Sequence, residues 1–137
     1  MPCQYFEPQR RVAESAHAHA RLPLIDEYEG LCRASRDLAA VPADLRFRCC
    51  NHGNSRGVCP QFPLNEPLTS SRYHAVRLTA AALEVLRVEE RDYAPVAWQT
   101  VIYARHNEQL SPAAMEECVK AQTLAFCRSY LKRFPDP

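Results

Sequence analysis

The feature that most constrains this chain is the uneven placement of its cysteines, prolines and glycines. The first 67 residues hold five of the seven cysteines, seven of the eleven prolines and all three glycines. Large apolar side chains are sparse there, so the region combines many turn-forming residues with little material for a hydrophobic core. A region of this kind usually needs a staple to hold one conformation. We therefore predict a proline-rich, metal-stapled lobe over residues 1–67 and a second unit over 68–137, with one compact domain as the alternative.

The second unit has the alternating pattern of half-buried strands. Apolar side chains recur every second residue over 73–78 and again over 96–105, which predicts two strands. The segment between them is ambiguous between helix and strand. We predict a strand from about Glu84, because it would pair directly with the next strand across a turn at Asp92–Pro95. Trp98 and Tyr103 fall on strand positions and are expected to be core aromatics.

The C-terminal segment carries the signals of a helix. Ser111 is a good N-cap and Pro112 suits the first helical position, which predicts a helix over 112–133. Apolar residues lie on two sides of this helix. The helix is therefore either packed between the sheet and the N-terminal lobe, or used to bind a protein partner or a second copy. The predicted fold class is α+β, with a small antiparallel sheet packed by the C-terminal helix.

Two shorter helices are candidates within the N-terminal lobe, at 12–21 and at 34–38. Their amino acids favour helix, but both segments are short and bounded by turn-forming residues.

Charge and terminal composition narrow the function classes. The net charge is +1, without a run of either sign, which argues against nucleic acid and against a membrane surface as partners. The N-terminus lacks the apolar core of a secretion signal, and no stretch is long enough to span a bilayer. We therefore expect a cytoplasmic protein, in which thiols stay reduced. Cysteine spacing in that compartment indicates metal binding or catalysis more often than disulfides.

The cysteines divide into two groups. Cys118 and Cys127 are nine residues apart on the predicted helix, which puts them on opposite faces. They cannot share a metal, and buried packing is the expected role of both. The other five lie within the first sixty residues.

The segment from Cys49 to Pro60 is the centre of the predicted site. It places cysteines at both ends of a loop rich in glycine, asparagine and serine, which can fold back and bring Cys50 and Cys59 together. A closed site needs four ligands. We predict that these are Cys3, Cys32, Cys50 and Cys59, with Cys49 or His52 as substitutes.

The spacing also bears on the metal. Structural zinc sites usually gather their ligands in short Cys-x2–4-Cys pairs, and this chain has no such pair. Single cysteines converging from distant segments fit a [4Fe–4S] cluster better, because the bulk of the cluster spans the gaps between them. We predict an iron–sulfur protein for electron transfer or redox sensing. The alternatives are a zinc-stabilised protein–protein interaction module and a metal-free thiol switch that uses Cys49, Cys50 and Cys59.

No sequence pattern identifies an enzyme. A catalytic metal centre would require a coordination position open to substrate, and the spacing of the cysteines does not indicate one.

Overall fold

Two antiparallel sheets and a long C-terminal helix form the fold. The computed structural model describes residues 1–15, 17, 21–34, 39–53 and 56–137. The predicted α+β class and the packing of the C-terminal helix on a sheet are both confirmed. The metal staple stays a prediction.

The first sheet lies in the proline-rich region and was not predicted from the sequence. It contains β1 (Phe6–Arg11), β2 (Tyr28–Cys32) and β3 (Ala39–Ala40), in that order and antiparallel. Gly30 is required where β1 and β2 meet, since a Cβ there would lie 2.1 Å from the carbonyl oxygen of Glu7. The strands are short, and β1 is interrupted by a proline and a bulge, so their alternation is too brief to read from sequence.

A helical segment follows the first sheet. One α-helical turn, α1 (Ala43–Leu45), continues directly as a π-helix over Arg46–Asn51. The helix predicted over 12–21 is wrong for its described residues 12–15, 17 and 21, which are not helical. The helix predicted over 34–38 lies outside the described residues, apart from its first position.

The second sheet contains four antiparallel strands in sequence order. They are β4 (Thr69–Leu78), β5 (Ala82–Arg91), β6 (Ala94–Ala104) and β7 (Leu110–Ser111). The choice of strand over helix for the ambiguous segment is confirmed, with β5 beginning two residues earlier than predicted. Asp92 and Tyr93 both have positive φ, of 46° and 69°, as a two-residue hairpin turn requires.

The C-terminal helix α2 spans Glu117–Arg133, so its predicted start at Pro112 is wrong. Leu110 and Ser111 pair with β6 as the short strand β7, and Ser111 is therefore extended and part of a sheet. The N-cap position is Glu116. The predicted end of the helix at Arg133 is correct.

The core is shared between the two halves of the chain. Helix α2 contacts both β1 and β4, which corresponds to the packed alternative of the sequence analysis. None of the helices in the described residues is long and apolar enough to cross a membrane. The buried apolar cluster includes Phe6, Leu24, Tyr28, Cys50, Tyr73, Leu83, Val85, Val101, Tyr103, Phe126 and Cys127.

The two aromatic residues of β6 lie on different faces of the sheet. Tyr103 is buried, as predicted, whereas Trp98 is 78% exposed, so its prediction as a core residue is wrong. The five-residue separation puts them on opposite faces of a strand. Helix α2 covers the face that carries Tyr103.

Candidate metal centre

Five cysteines from four separate parts of the chain line one small cavity. Cys3 lies in the N-terminal segment, Cys32 ends β2, Cys49 and Cys50 lie on the π-helix, and Cys59 lies in a turn. The cavity measures about 20 Å³, which is room for about one water molecule. All four predicted ligands and the substitute Cys49 are thus brought together. The remaining walls are mainly apolar and are formed by Tyr5, Phe6, Ala34, Val41, Leu45, Gln61 and Phe62.

His52, the other predicted substitute, is not among the described residues that line this cavity. Its side chain is exposed, and its ring packs edge-on against Phe47 at a centroid distance of 4.9 Å.

The π-helix is fixed to β2 by one buried side chain. Asn51 is 1% exposed. Its Oδ1 accepts a hydrogen bond from the Tyr28 N–H at 2.8 Å, and its Nδ2 donates to the carbonyl oxygens of Tyr28 and Arg46, both at 2.9 Å. These bonds imitate one step of a sheet ladder. They hold the helix that carries Cys49 and Cys50 against the strand that ends in Cys32.

The N-terminal segment joins the same assembly through its backbone. The Cys3 N–H donates to the carbonyl oxygen of Cys50 at 2.9 Å. Gly53 makes this approach possible, because a Cβ at that position would lie 1.6 Å from the carbonyl oxygen of Met1. Its φ of 78° also favours glycine. The sequence predicts the glycines of this loop only as turn formers, because the contact between Gly53 and the N-terminal segment that seats Cys3 is non-local.

The π-helical conformation itself is informative. Its wider turn is seen in the hydrogen bond of 3.2 Å from the His52 N–H to the carbonyl oxygen of Phe47, five residues earlier. Such turns are rare and occur frequently at functional sites. Here the wider turn carries two adjacent cysteines, both of which line the cavity.

The thiols influence one another electrostatically. Burial, followed by the negative charges of the surrounding cysteines, raises the pKa of Cys50 far above the ordinary thiol value. Burial also raises the pKa of Cys49, as does the neighbouring Cys59 thiol, while Arg48 acts in the opposite direction. One backbone donor is directed at sulfur, since the Ala34 N–H lies 3.5 Å from Cys32 Sγ. Without a cation, several thiolates in this cavity would repel one another.

The predicted loop between Cys50 and Cys59 is described only in part, because Asn54 and Ser55 lie outside the described residues.

The cysteines of the cavity are not arranged as a site for a single ion. Among the described residues, no group of three or more His, Cys, Asp or Glu side chains is arranged to hold a metal ion. All seven cysteines belong to the described residues, and each is a thiol rather than a half-cystine. The cavity cysteines therefore share a common space without converging on a single ion.

The two helical cysteines lie elsewhere, as their spacing requires. Cys118 is 2% exposed and lines a different cavity, and Cys127 is fully buried in the core. Burial raises the pKa of each thiol to about 12.

No protein-family model matches this chain, and neither a curated protein nor a solved structure matches it.

Proposed function

We propose that this chain is a small iron–sulfur protein in which Cys3, Cys32, Cys50 and Cys59 hold a [4Fe–4S] cluster for electron transfer or redox sensing. One observation carries the proposal. Cysteines separated by up to 56 positions in sequence line one apolar cavity, whereas the two helical cysteines do not share it. Independent packing of these five cysteines, of which Cys49 and Cys50 are buried and the others partly exposed, would not require them to meet.

The dispersed sequence positions of the cysteines support a cluster over zinc. Structural zinc sites usually gather their ligands in short Cys-x2–4-Cys pairs, and this chain has no such pair. A cluster is bound at its periphery and can span the gaps between single cysteines from separate segments. The cavity of about 20 Å³ is smaller than a cluster. Loading would therefore move the cysteines outward, and the partly exposed ligands Cys3, Cys32 and Cys59 are better placed to move than the buried Cys50.

The surroundings of the cavity suit a redox centre. Its walls are mostly apolar, which limits access of water and helps to set the potential of a cluster. Iron would also offset the negative charge that four thiolates bring together. A cluster in this position would gain and lose an electron without a change of ligands.

A metal-free thiol switch is the second candidate, because Cys49 and Cys59 line the same cavity and the Cys59 thiol raises the pKa of Cys49. Oxidation would join these two sulfurs, with two electrons and two protons passing to an oxidant such as a disulfide. Reactive switch cysteines are exposed and have a lowered pKa. Cys49 is buried and its pKa is raised, which disfavours it as the reactive thiol of a switch.

The test is anaerobic reconstitution with iron and sulfide, followed by absorption spectroscopy of the purified chain. The wild type is expected to become brown, with a broad charge-transfer band that dithionite bleaches. Cys32→Ser should lose most of that absorption, whereas Cys118→Ser, a matched change outside the cavity, should keep it. A colourless wild-type protein that carries stoichiometric zinc would overturn the proposal. A colourless metal-free protein that forms a Cys49–Cys59 disulfide would support the thiol switch instead.

A further inference from the structure

A second and larger cavity lies between the start of α2 and one end of the second sheet. Its volume is about 380 Å³, within the range of roughly 300–1,000 Å³ that is typical of small-molecule sites. Side chains from three strands and from the segment before α2 converge on it. Those used below are Ser71, Arg87, Glu89, Gln99 and Glu116.

The inward face of β5 changes its chemistry at this cavity. Leu83 and Val85 are fully buried, and the next two inward positions are Arg87 and Glu89. A sheet face that served only packing would continue apolar, because partly buried charges cost free energy without suitable partners. The Arg87 side chain is 16% exposed. The change from apolar to ionic residues therefore indicates a surface built for a ligand.

Arg87 and Glu89 are held in position, but their partners within the protein do not take up all of their hydrogen-bonding capacity. Arg87 Nε donates to Ser71 Oγ at 2.8 Å, which orients the guanidinium. Arg87 Nη2 lies 3.6 Å from Glu89 Oε2, longer than the roughly 2.7–2.9 Å of a charge-assisted hydrogen bond. A guanidinium also has five N–H donors, more than these partners require. Both charges thus retain capacity for a bound molecule.

The charge balance selects the class of ligand. One arginine and two glutamates line the cavity, which gives a formal charge of −1. A simple anion would be repelled by the two glutamates, and a simple cation would leave the spare N–H donors of Arg87 unused. We propose that the cavity binds a small zwitterion of the amino-acid type, with its carboxylate on Arg87 and its ammonium group at Glu89 and Glu116. The amide of Gln99, on the neighbouring strand, would contact its polar side chain.

This site does not depend on the iron–sulfur cluster, although it lies beside the cysteines. Cys3 lines the small cavity, and the next residue, Gln4, lines the large one. A bound zwitterion would therefore lie close to the proposed redox centre.

The test is titration calorimetry of the full chain with glycine, L-alanine, L-glutamine and L-glutamate. Propionate and ethylamine are the matched probes that carry only one of the two charges. At least one amino acid is expected to bind, and each single-charge probe should bind about tenfold more weakly or worse. Absence of binding by every amino acid at millimolar concentration would overturn the proposal, as would equal binding of propionate.

Variants locate the site on the chain. Arg87→Gln should weaken binding about tenfold or more, whereas Arg72→Gln, the same change at an exposed position of β4, should have little effect. Arg87 also contacts Ser71 and could affect folding, so Gln99→Trp serves as a second variant that fills the cavity from β6. Binding that persists in a folded Gln99→Trp protein would place the ligand elsewhere and overturn the assignment.

Discussion

Cys49 and Cys50 are neighbours in the chain, yet their thiols have different surroundings. Cys50 senses the charges of all four other cavity cysteines, and its carbonyl oxygen accepts the hydrogen bond that seats Cys3. Cys49 senses mainly Cys59 and lies against Arg48. Cys50 is thus the more central of the two, which supports its choice as the ligand.

Serine substitution distinguishes the two cysteines. After anaerobic reconstitution, Cys50→Ser is expected to retain little iron, because a serine hydroxyl replaces a thiolate ligand poorly. Cys49→Ser should retain most of the wild-type iron, measured per chain by elemental analysis. The opposite ranking would make Cys49 the fourth ligand. Retention of the wild-type iron content by both variants would exclude both cysteines as essential ligands.

Asn51 acts at the same scale, through hydrogen bonds that no sequence pattern signals. Asn51→Asp keeps the shape but removes two N–H donations and puts a carboxylate against two carbonyl oxygens. We expect the free energy of unfolding of the metal-free chain to fall by roughly 2–4 kcal/mol, measured by urea denaturation. Asn107→Asp is the matched control, since its exposed Oδ1 only accepts a bond, and its effect should stay within about 0.5 kcal/mol. Equal effects of the two changes would contradict this role for Asn51.

Glu27 is expected to make the stability of the fold depend on pH in the acidic range. Burial raises the pKa of this carboxyl, but hydrogen bonds from Ser15 and Arg46, together with the Arg46 charge, outweigh burial and lower it below the ordinary value of 4.5. A lowered folded-state pKa stabilises the fold above the unfolded-state value, and this contribution is lost as the pH falls through the lower folded-state value.

Urea denaturation between neutral pH and pH 3 tests this contribution. Wild type should lose stability more steeply below about pH 4.5 than Glu27→Gln does. The exposed substitution Glu14→Gln serves as the control and should follow wild type. Parallel curves for wild type and Glu27→Gln would show that this carboxylate does not contribute.

At the scale of elements, the sequence predicts the strands and helices that have a long hydropathy or charge pattern within their own segment. The strands of the second sheet have sustained alternation and a turn between them, and α2 ends where its charged last turn predicts. The N-terminal sheet was missed because β3 has two residues and β1 contains a proline. The start of α2 was misplaced because Ser111 pairs with Ile102 in a sheet, a non-local contact that overrides its capping preference.

The sheet also shows why alternation alone did not identify its buried face. Leu83 is fully buried in the core that α2 shares, whereas Trp98 points to the opposite face. We expect Leu83→Ala to lower the free energy of unfolding by roughly 2–4 kcal/mol. Trp98→Ala should change it by about 0.5 kcal/mol or less, in spite of the larger side chain removed. A loss of similar size for both, measured by urea denaturation, would indicate that the outer face of the sheet is covered.

At the scale of the whole molecule, the N-terminal strands, the second sheet and α2 depend on one another. Gln122 on α2 donates to the carbonyl oxygens of Cys3 and Phe6, both at 2.9 Å. The same N-terminal residues take part in the cysteine cavity. Sequence spacing could nominate the cysteines, since composition and helical phase are local properties. How they meet depends on Gly53, Asn51 and Gln122, whose long-range contacts have no local signature.

The iron and sulfide content of the reconstituted wild-type chain is the decisive measurement for the proposed [4Fe–4S] cluster. Iron and acid-labile sulfide are measured on the same anaerobic, gel-filtered sample and divided by the protein concentration from amino-acid analysis. We expect about four irons and about four sulfides per chain, as a [4Fe–4S] cluster requires. Stoichiometric zinc without sulfide, or a chain that retains neither iron nor sulfide, would contradict it.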